Sequence, residues 1–186
     1  MPISTQEAAE ALQDIAQTQH RASNLRGYER GSPHLILWGL IWVLGYGTCY
    51  LAPTLANLTW LVLDIAGIAG SFLIGRAAAR IKSVASTGYG SRFAALGITI
   101  FAFIAATYYI LQPHDSAQFG AFPALFVALI YSVIGIWRGS RWAIVGIALG
   151  LCTVAGYAFL KEYFMLWMAV VGGGTLIMTG FWLRRA

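Results

Sequence analysis

Six long apolar runs, separated by short polar turns, follow one hydrophilic segment at the start of the chain. The runs cover approximately 34–52, 56–75, 92–111, 120–138, 142–160 and 164–183. Each run is close to the ~20 residues that a helix needs to cross a hydrocarbon core of about 30 Å. Strands are not expected, because the alternation of a membrane barrel strand is absent and a spanning helix satisfies its own backbone. The pattern predicts an all-α membrane protein, with a bundle of six transmembrane helices over residues 34–186.

The hydrophilic segment, residues 1–33, has a helical pattern of its own. Small apolar residues, many of them alanine, recur at helical spacing over residues 5–25 and form a thin apolar stripe. Gly27 and Gly31 interrupt the pattern, and Pro33 suits the first turn of the next helix. We therefore predict a short cytosolic N-terminal amphipathic helix and a link, as a domain separate from the transmembrane bundle.

The chemistry of residues 5–25 favours a protein partner over the membrane surface. A helix that lies on an anionic membrane needs bulky apolar and basic residues. Here the stripe is thin, and its first charges, at Glu7, Glu10 and Asp14, are acidic. Such a stripe suits docking onto a helix of a membrane or cytosolic partner, or of a second copy in a homo-oligomer. A solvated cap without a partner is the alternative.

The composition supports lipid as the solvent for most of the surface. Hydrophobic residues make up 59% of the chain and charged residues only 10%, whereas soluble domains carry about 25% charged residues. The net charge of +5 could suggest nucleic acid. The basic residues, however, stand at the ends of the apolar runs and form no single patch. We expect the lipid bilayer, and no nucleic acid, as a partner.

The basic residues also predict the orientation. When six spans are folded through a bilayer, Lys161 lies alone on one side. The other eleven lie on the opposite side: Arg21, Arg26, Arg30, Arg76, Arg80, Lys82, Arg92, Arg138, Arg141, Arg184 and Arg185. By the positive-inside rule that side is cytosolic. The expectation is a multi-pass protein of the bacterial inner membrane with both termini in the cytosol.

Small residues predict where the helices touch, because helices in lipid associate through close backbone contact. In the fifth run Gly146, Gly150 and Thr153 share one face. The sixth run carries the triplet Gly172–Gly174. Three glycines could break a helix around a binding site, as in transporters. Because no charged residue lies beside the triplet, close packing against another helix is the favoured interpretation.

Asp64 is the one acidic residue well inside an apolar run. An aspartate near the bilayer centre costs about 2.5–3.5 kcal/mol, so such residues usually face the bundle and are functional or paired. At helical spacing Asp64 shares a face with Gly67 and Ser71. One hypothesis makes these three a proton or cation binding site. The other makes Asp64 structural, either kept neutral or bonded to a Tyr, Trp or Thr of a neighbouring helix.

Other site chemistry is sparse. The three histidines lack metal-ligand spacing, and no catalytic constellation, cofactor motif or phosphate loop is visible. We therefore expect no catalytic residue, no metal and no cofactor. Arg76, Arg80 and Lys82 could contact anionic lipid headgroups, although ordinary topology determinants would have the same pattern.

The number and length of the predicted spans resemble those of the small six-span inner-membrane proteins of bacteria. If the spans are grouped as three hairpins, the arrangement is similar to that of acid-resistance membrane proteins of the HdeD type. This resemblance covers span count and length only and implies no site residue. The favoured function is a non-enzymatic membrane component: a partner subunit, sensor or regulator. The alternative is a small oligomeric transporter or channel that uses Asp64, although polar groups for a translocation path are few.

Overall fold

The computed structural model describes residues 5–81 and 89–185. Within these ranges the chain is almost entirely helical and contains no strand. Five long helices come first: α1 (Thr5–Leu51), α2 (Ala56–Ile81), α3 (Tyr89–Leu111), α4 (Ser116–Arg138) and α5 (Ser140–Phe159). The last part of the chain is helical in three pieces: α6 (Phe164–Trp167), a π-helical turn (Met168–Gly172) and α7 (Gly173–Arg184). Short 3₁₀ turns cover Pro53–Leu55 and Lys161–Tyr163.

Helical segments in the described part of the chain are long and apolar enough to cross a membrane. There are five: Gly27–Leu51, Pro53–Ala77, Ser116–Arg138, Ser140–Phe159 and Lys161–Arg184. They agree with an all-α membrane protein. The remaining predicted span, 92–111, lies in α3, where the apolar stretch Gly97–Leu111 is shorter than the others. The count of six spans therefore stays a prediction.

The link expected after the N-terminal helix is replaced by continuous helix. α1 has 47 residues and passes through Gly27, Gly31 and Pro33 without a break. Tertiary packing overrides the local propensity of these residues. Gly31 lies directly against the ring of Trp142 of α5, which leaves no room for a side chain. The buried Ser32 hydroxyl donates a hydrogen bond to a carbonyl of α7. The turn of α1 that contains Gly31 and Ser32 is therefore in contact with both α5 and α7.

The core lies between α1, α4, α5 and the last span. Its largest fully buried apolar side chains come from α1, α5 and the last span: Leu35, Val145, Leu149, Phe164, Met168, Leu176 and Leu183. α2 packs on the outer side of α1, and α3 packs on α4 through stacked phenylalanine rings. Most large apolar side chains of α2 point away from the bundle. This distribution is expected where lipid, rather than water, covers the surface.

α1 and α7 cross at two glycines. A Cβ atom on Gly39 would lie 2.9 Å from the carbonyl oxygen of Gly173, and one on Gly173 would lie 2.9 Å from the carbonyl oxygen of Gly39. The triplet Gly172–Gly174 does not break the helix, although a π-helical turn ends within it. Close packing is thus confirmed for Gly173. A Cβ atom on Gly174 would meet no atom of another helix within 4 Å.

The α4–α5 hairpin also confirms a predicted contact face. Gly146 lies directly against the backbone of Ser132 and Ala128. Gly150 is in ordinary contact with the side chain of Ala128, and Thr153 is fully buried. The turn of this hairpin and the end of α7 form what we call the basic end of the bundle. Its basic side chains are Arg138, Arg141, Arg184 and Arg185.

Candidate functional site

The three predicted binding residues lie on the face of α2 that packs against α1. At Gly67, a Cβ atom would lie 2.7 Å from Ile41 Cδ1 and 3.0 Å from the ring of Trp38. Trp38 Nε1 donates a hydrogen bond of 3.2 Å to Ser71 Oγ. Asp64 lies three residues before Gly67 on the same face and is half-buried. The structure therefore brings all three residues to one helix–helix contact.

Aromatic and polar side chains continue the contact between α1 and α2 toward the end of α1 and the start of α2. Tyr46 of α1 is buried, and its hydroxyl donates a hydrogen bond of 2.7 Å to the carbonyl oxygen of Gly120 in α4. Its ring packs edge-on against Trp60 at 5.2 Å. Trp60 Nε1 in turn donates to Cys49 Sγ at 3.2 Å. Trp60 comes one helical turn before Asp64 on α2, so this cluster adjoins the Asp64 position.

The side-chain carboxyl group of Asp64 accepts no hydrogen bond within residues 5–81 and 89–185. The Tyr, Trp or Thr donor of a bonded structural aspartate is therefore not found in the described part of the chain, whereas a structural aspartate that is kept neutral needs no such donor. An aspartate carboxylate can accept several hydrogen bonds. Its half-buried oxygens are thus open to a proton, a cation or water. Ser71, by contrast, already accepts from Trp38.

Pro123 leaves free a carbonyl of α4 that a tyrosine of α3 then contacts. α4 begins at Ser116, so Pro123 lies inside the helix and not in its first turn. Proline has no N–H, which leaves the carbonyl of Phe119 without its helical donor. The hydroxyl of Tyr108 in α3 donates to this carbonyl. The neighbouring carbonyl of Gly120 accepts from Tyr46, so α1 and α3 are both tied to α4 beside the proline.

A second polar network lies at the end of the bundle opposite the basic end. Asp115 caps α4 by accepting a 2.7 Å hydrogen bond from the backbone N–H of Gln118, and it pairs with Lys161 at 2.8 Å. The Lys161 ammonium also lies 5.4 Å from the centre of the Tyr157 ring. Hydrogen bonds from Lys161 and from the Gln118 backbone hold the pKa of the Asp115 carboxyl below its usual range. This network joins the start of α4 to the start of the last span.

Of the three predicted lipid-contact residues, the structure describes the side chain of Arg76. The guanidinium of Arg76 lies 5.4 Å from the centre of the Phe72 ring. Arg80 lies in α2, but its side chain is not among those described, and Lys82 lies outside the described residues. The structure therefore does not test whether Arg76, Arg80 and Lys82 form one site.

Within the described ranges, no group of His, Cys, Asp and Glu could hold a metal ion. Cys49 and Cys152 are free thiols. Trp167 Nε1 donates to the carbonyl of Cys152 at 2.8 Å, which ties the last span to α5.

A comparison of the chain with protein-family models, curated proteins and solved structures finds no match. The resemblance in span count and length therefore has no support from these comparisons. The function has to be argued from the residues of the chain itself.

Proposed function

We propose that this chain is a six-span protein of the bacterial inner membrane that acts as a non-enzymatic component: a partner subunit, a sensor or a regulator. The observation that carries the proposal is the continuity of α1. One helix of 47 residues contains both the polar segment and an apolar span in the core of the bundle. A partner that binds the polar segment would therefore act directly on the core.

The sixth span and the orientation are part of this proposal. α3 has 23 residues, which at about 1.5 Å per residue make about 34 Å, enough to cross a hydrocarbon core. An even number of spans puts both termini on one side. The basic end would face the cytosol by the positive-inside rule, and Lys161 would face the opposite compartment.

The contacts of α1 make it a suitable coupling element. Its span contacts α2 through Trp38, α4 through Tyr46 and α7 through Gly39. The part that precedes Gly27 is about 33 Å long at about 1.5 Å per residue. Because no flexible link separates this extension from the span, a displacement or rotation of the extension would reach three other helices.

Two variants of α1 test this function. Deletion of residues 2–25 should abolish co-purification of a partner in mild detergent and the cellular phenotype, while membrane insertion and abundance stay normal. Insertion of four glycines after Arg26 should keep the partner bound but abolish the response, because it uncouples the extension from the span. The proposal is wrong if both variants behave like the wild type in a strain where loss of the gene has a phenotype.

A transporter or channel that uses Asp64 is the second candidate. The half-buried carboxyl without a hydrogen-bond donor in the described chain favours it. The aromatic side chains that fill the bundle beside Asp64, such as Trp42 and Tyr46, argue against a wide path. Proton and cation flux into proteoliposomes separates the two functions. Flux that Asp64→Asn abolishes, and that Asp64→Glu and Asp115→Asn preserve, would support transport.

A further inference from the structure

Arg141 at the basic end is held by two aromatic rings. Its guanidinium carbon lies 5.4 Å from the centre of the Tyr28 ring of α1 and 5.0 Å from that of the Trp182 ring of α7. Stacking of this kind holds a guanidinium through its faces. Within the described residues its side chain makes no hydrogen bond, so its five N–H donors remain available.

Arg184 is positioned by a separate contact on the same side of α1. Its Nε donates a 3.0 Å hydrogen bond to Ser32 Oγ. The Ser32 hydroxyl is fully buried and donates to the carbonyl of Gly180, so its orientation is fixed. Tyr28 and Ser32 are four residues apart on one helix, and such residues lie on the same face about 6 Å apart along the axis. The two guanidinium groups are thus anchored on one face of α1.

No carboxylate neutralises this pair of arginines in the described part of the chain. The ion pair found there, between Asp115 and Lys161, lies at the opposite end of the bundle. Glu29 follows Tyr28 on α1 but is exposed and pairs with neither arginine. Two guanidinium groups whose anchors lie one helical turn apart on the same face carry like charges, and an anion between them would offset their repulsion. Arginine donates in bidentate geometry to carboxylates and phosphates alike, and the phosphate is the anion that lipid headgroups supply.

The surroundings favour a phosphate that belongs to a lipid. Trp182 lies near the end of the last span and is partly exposed, as is common for tryptophan at the headgroup level. Phe181 and Met178, earlier on α7, are exposed on the bundle surface. They lie one to two turns before Arg184 along α7, toward the middle of the span, and would offer an apolar surface to an acyl chain. A free anion would make no use of this surface.

We propose that Arg141 and Arg184 together bind the phosphate of an anionic phospholipid at the basic end, between α1, α5 and α7. Tyr28, Trp182 and Ser32 position the two guanidinium groups. The site is separate from the α1 extension and from Asp64, so it stands or fails independently of the proposed function.

The test compares lipids and free phosphate as ligands of the purified full-length protein. Phosphatidylglycerol should raise Tm in detergent and remain bound in native mass spectrometry, whereas phosphatidylcholine should do neither. Arg184→Gln and Arg141→Gln should each weaken phosphatidylglycerol binding about tenfold, as expected for the loss of one charge-assisted contact. Arg185→Gln removes one positive charge next to the site and should leave binding unchanged.

Three outcomes would overturn the proposal. Equal weakening by Arg185→Gln would mean that net charge alone attracts the lipid. Equal protection by inorganic phosphate would assign the site to a free anion. Normal phosphatidylglycerol binding by a correctly folded Arg141→Gln/Arg184→Gln double variant would exclude the site. If Arg141→Gln fails to fold, the exposed Arg184→Gln and the orienting variant Ser32→Ala, which should also weaken binding, keep the test decisive.

Discussion

At the scale of single residues, small differences in position separate structural glycines from neutral ones. Gly173 and Gly174 are adjacent, yet one faces the backbone of α1 and the other faces open space. Likewise, Pro123 exposes a carbonyl that Tyr108 of another helix then uses. In both cases the effect of a residue depends on what a neighbouring helix places opposite it.

The glycine pair gives a matched stability test. Gly173→Ala should lower the free energy of unfolding by about 1–3 kcal/mol, because the new Cβ atom would overlap Val43 and the backbone of Gly39. Gly174→Ala should be neutral or slightly stabilising, since nothing lies within 4 Å and alanine is the better helix former. Thermal unfolding in detergent measures both variants. Equal effects would contradict the close crossing of α1 and α7.

The hydrogen bond from Tyr108 to the Phe119 carbonyl, which Pro123 leaves without a helical donor, is suited to a double-mutant cycle. Tyr108→Phe should cost about 1 kcal/mol, because it leaves the Phe119 carbonyl without a donor. In a Pro123→Ala background this cost should shrink, since alanine supplies the helical N–H that proline lacks. Denaturation of the four proteins in the cycle gives the coupling energy. Purely additive effects would mean that the tyrosine does not compensate for the proline.

At the scale of elements, contacts between helices override local signals. The predicted break at Gly31 and Pro33 is a continuous helix, because Trp142 packs onto Gly31 and Ser32 bonds to α7. The sequence could not reveal this, since both residues are ordinary signs of a link. The face of Gly146 was correctly identified from spacing alone, because small residues at helical intervals directly encode close approach.

The cap of α4 makes stability depend on pH. The pKa of Asp115 is lowered in the folded protein, mainly by the hydrogen bond from Lys161. The contact therefore stabilises the fold above the usual pKa of an aspartate, near pH 4, and this contribution is lost as the pH falls through the lowered value. Melting curves over acidic pH should show this loss in the wild type. Asp115→Asn should be less stable near neutral pH and should lack this component of the pH dependence.

At the scale of the whole molecule, the helices divide into a packed core and two outer helices. α1, α4, α5 and the last span share the buried side chains, while α2 lies on α1 and α3 lies on α4. The candidate residues Asp64, Gly67 and Ser71 lie where the core meets an outer helix. A movement of α2 against α1 would therefore change the surroundings of Asp64 without opening the core.

Site-directed labelling tests the proposed orientation. In a background of Cys49→Ala and Cys152→Ala, single cysteines at Ser83 and Ala186 should react with an impermeant thiol reagent only from the cytosolic side. A cysteine at Glu162 should react only from the outside, because Lys161–Tyr163 lies at the opposite end of the bundle. Opposite sides for Ser83 and Ala186 would refute the six-span topology and the assignment of compartments.

The sequence by itself determined the class of the protein and the candidate residues. Apolar run length and scarcity of charge predict membrane-spanning helices, because both follow from transfer into lipid and need no knowledge of neighbours. The shared face of Asp64, Gly67 and Ser71 follows from helical geometry in the same way. The tertiary structure alone decided that α1 is continuous, that Asp115 pairs with Lys161, and that Arg141 packs on Tyr28 while Arg184 bonds to Ser32 on the same face of α1. These features join residues far apart in the chain, so only the packing of the helices brings them within contact distance.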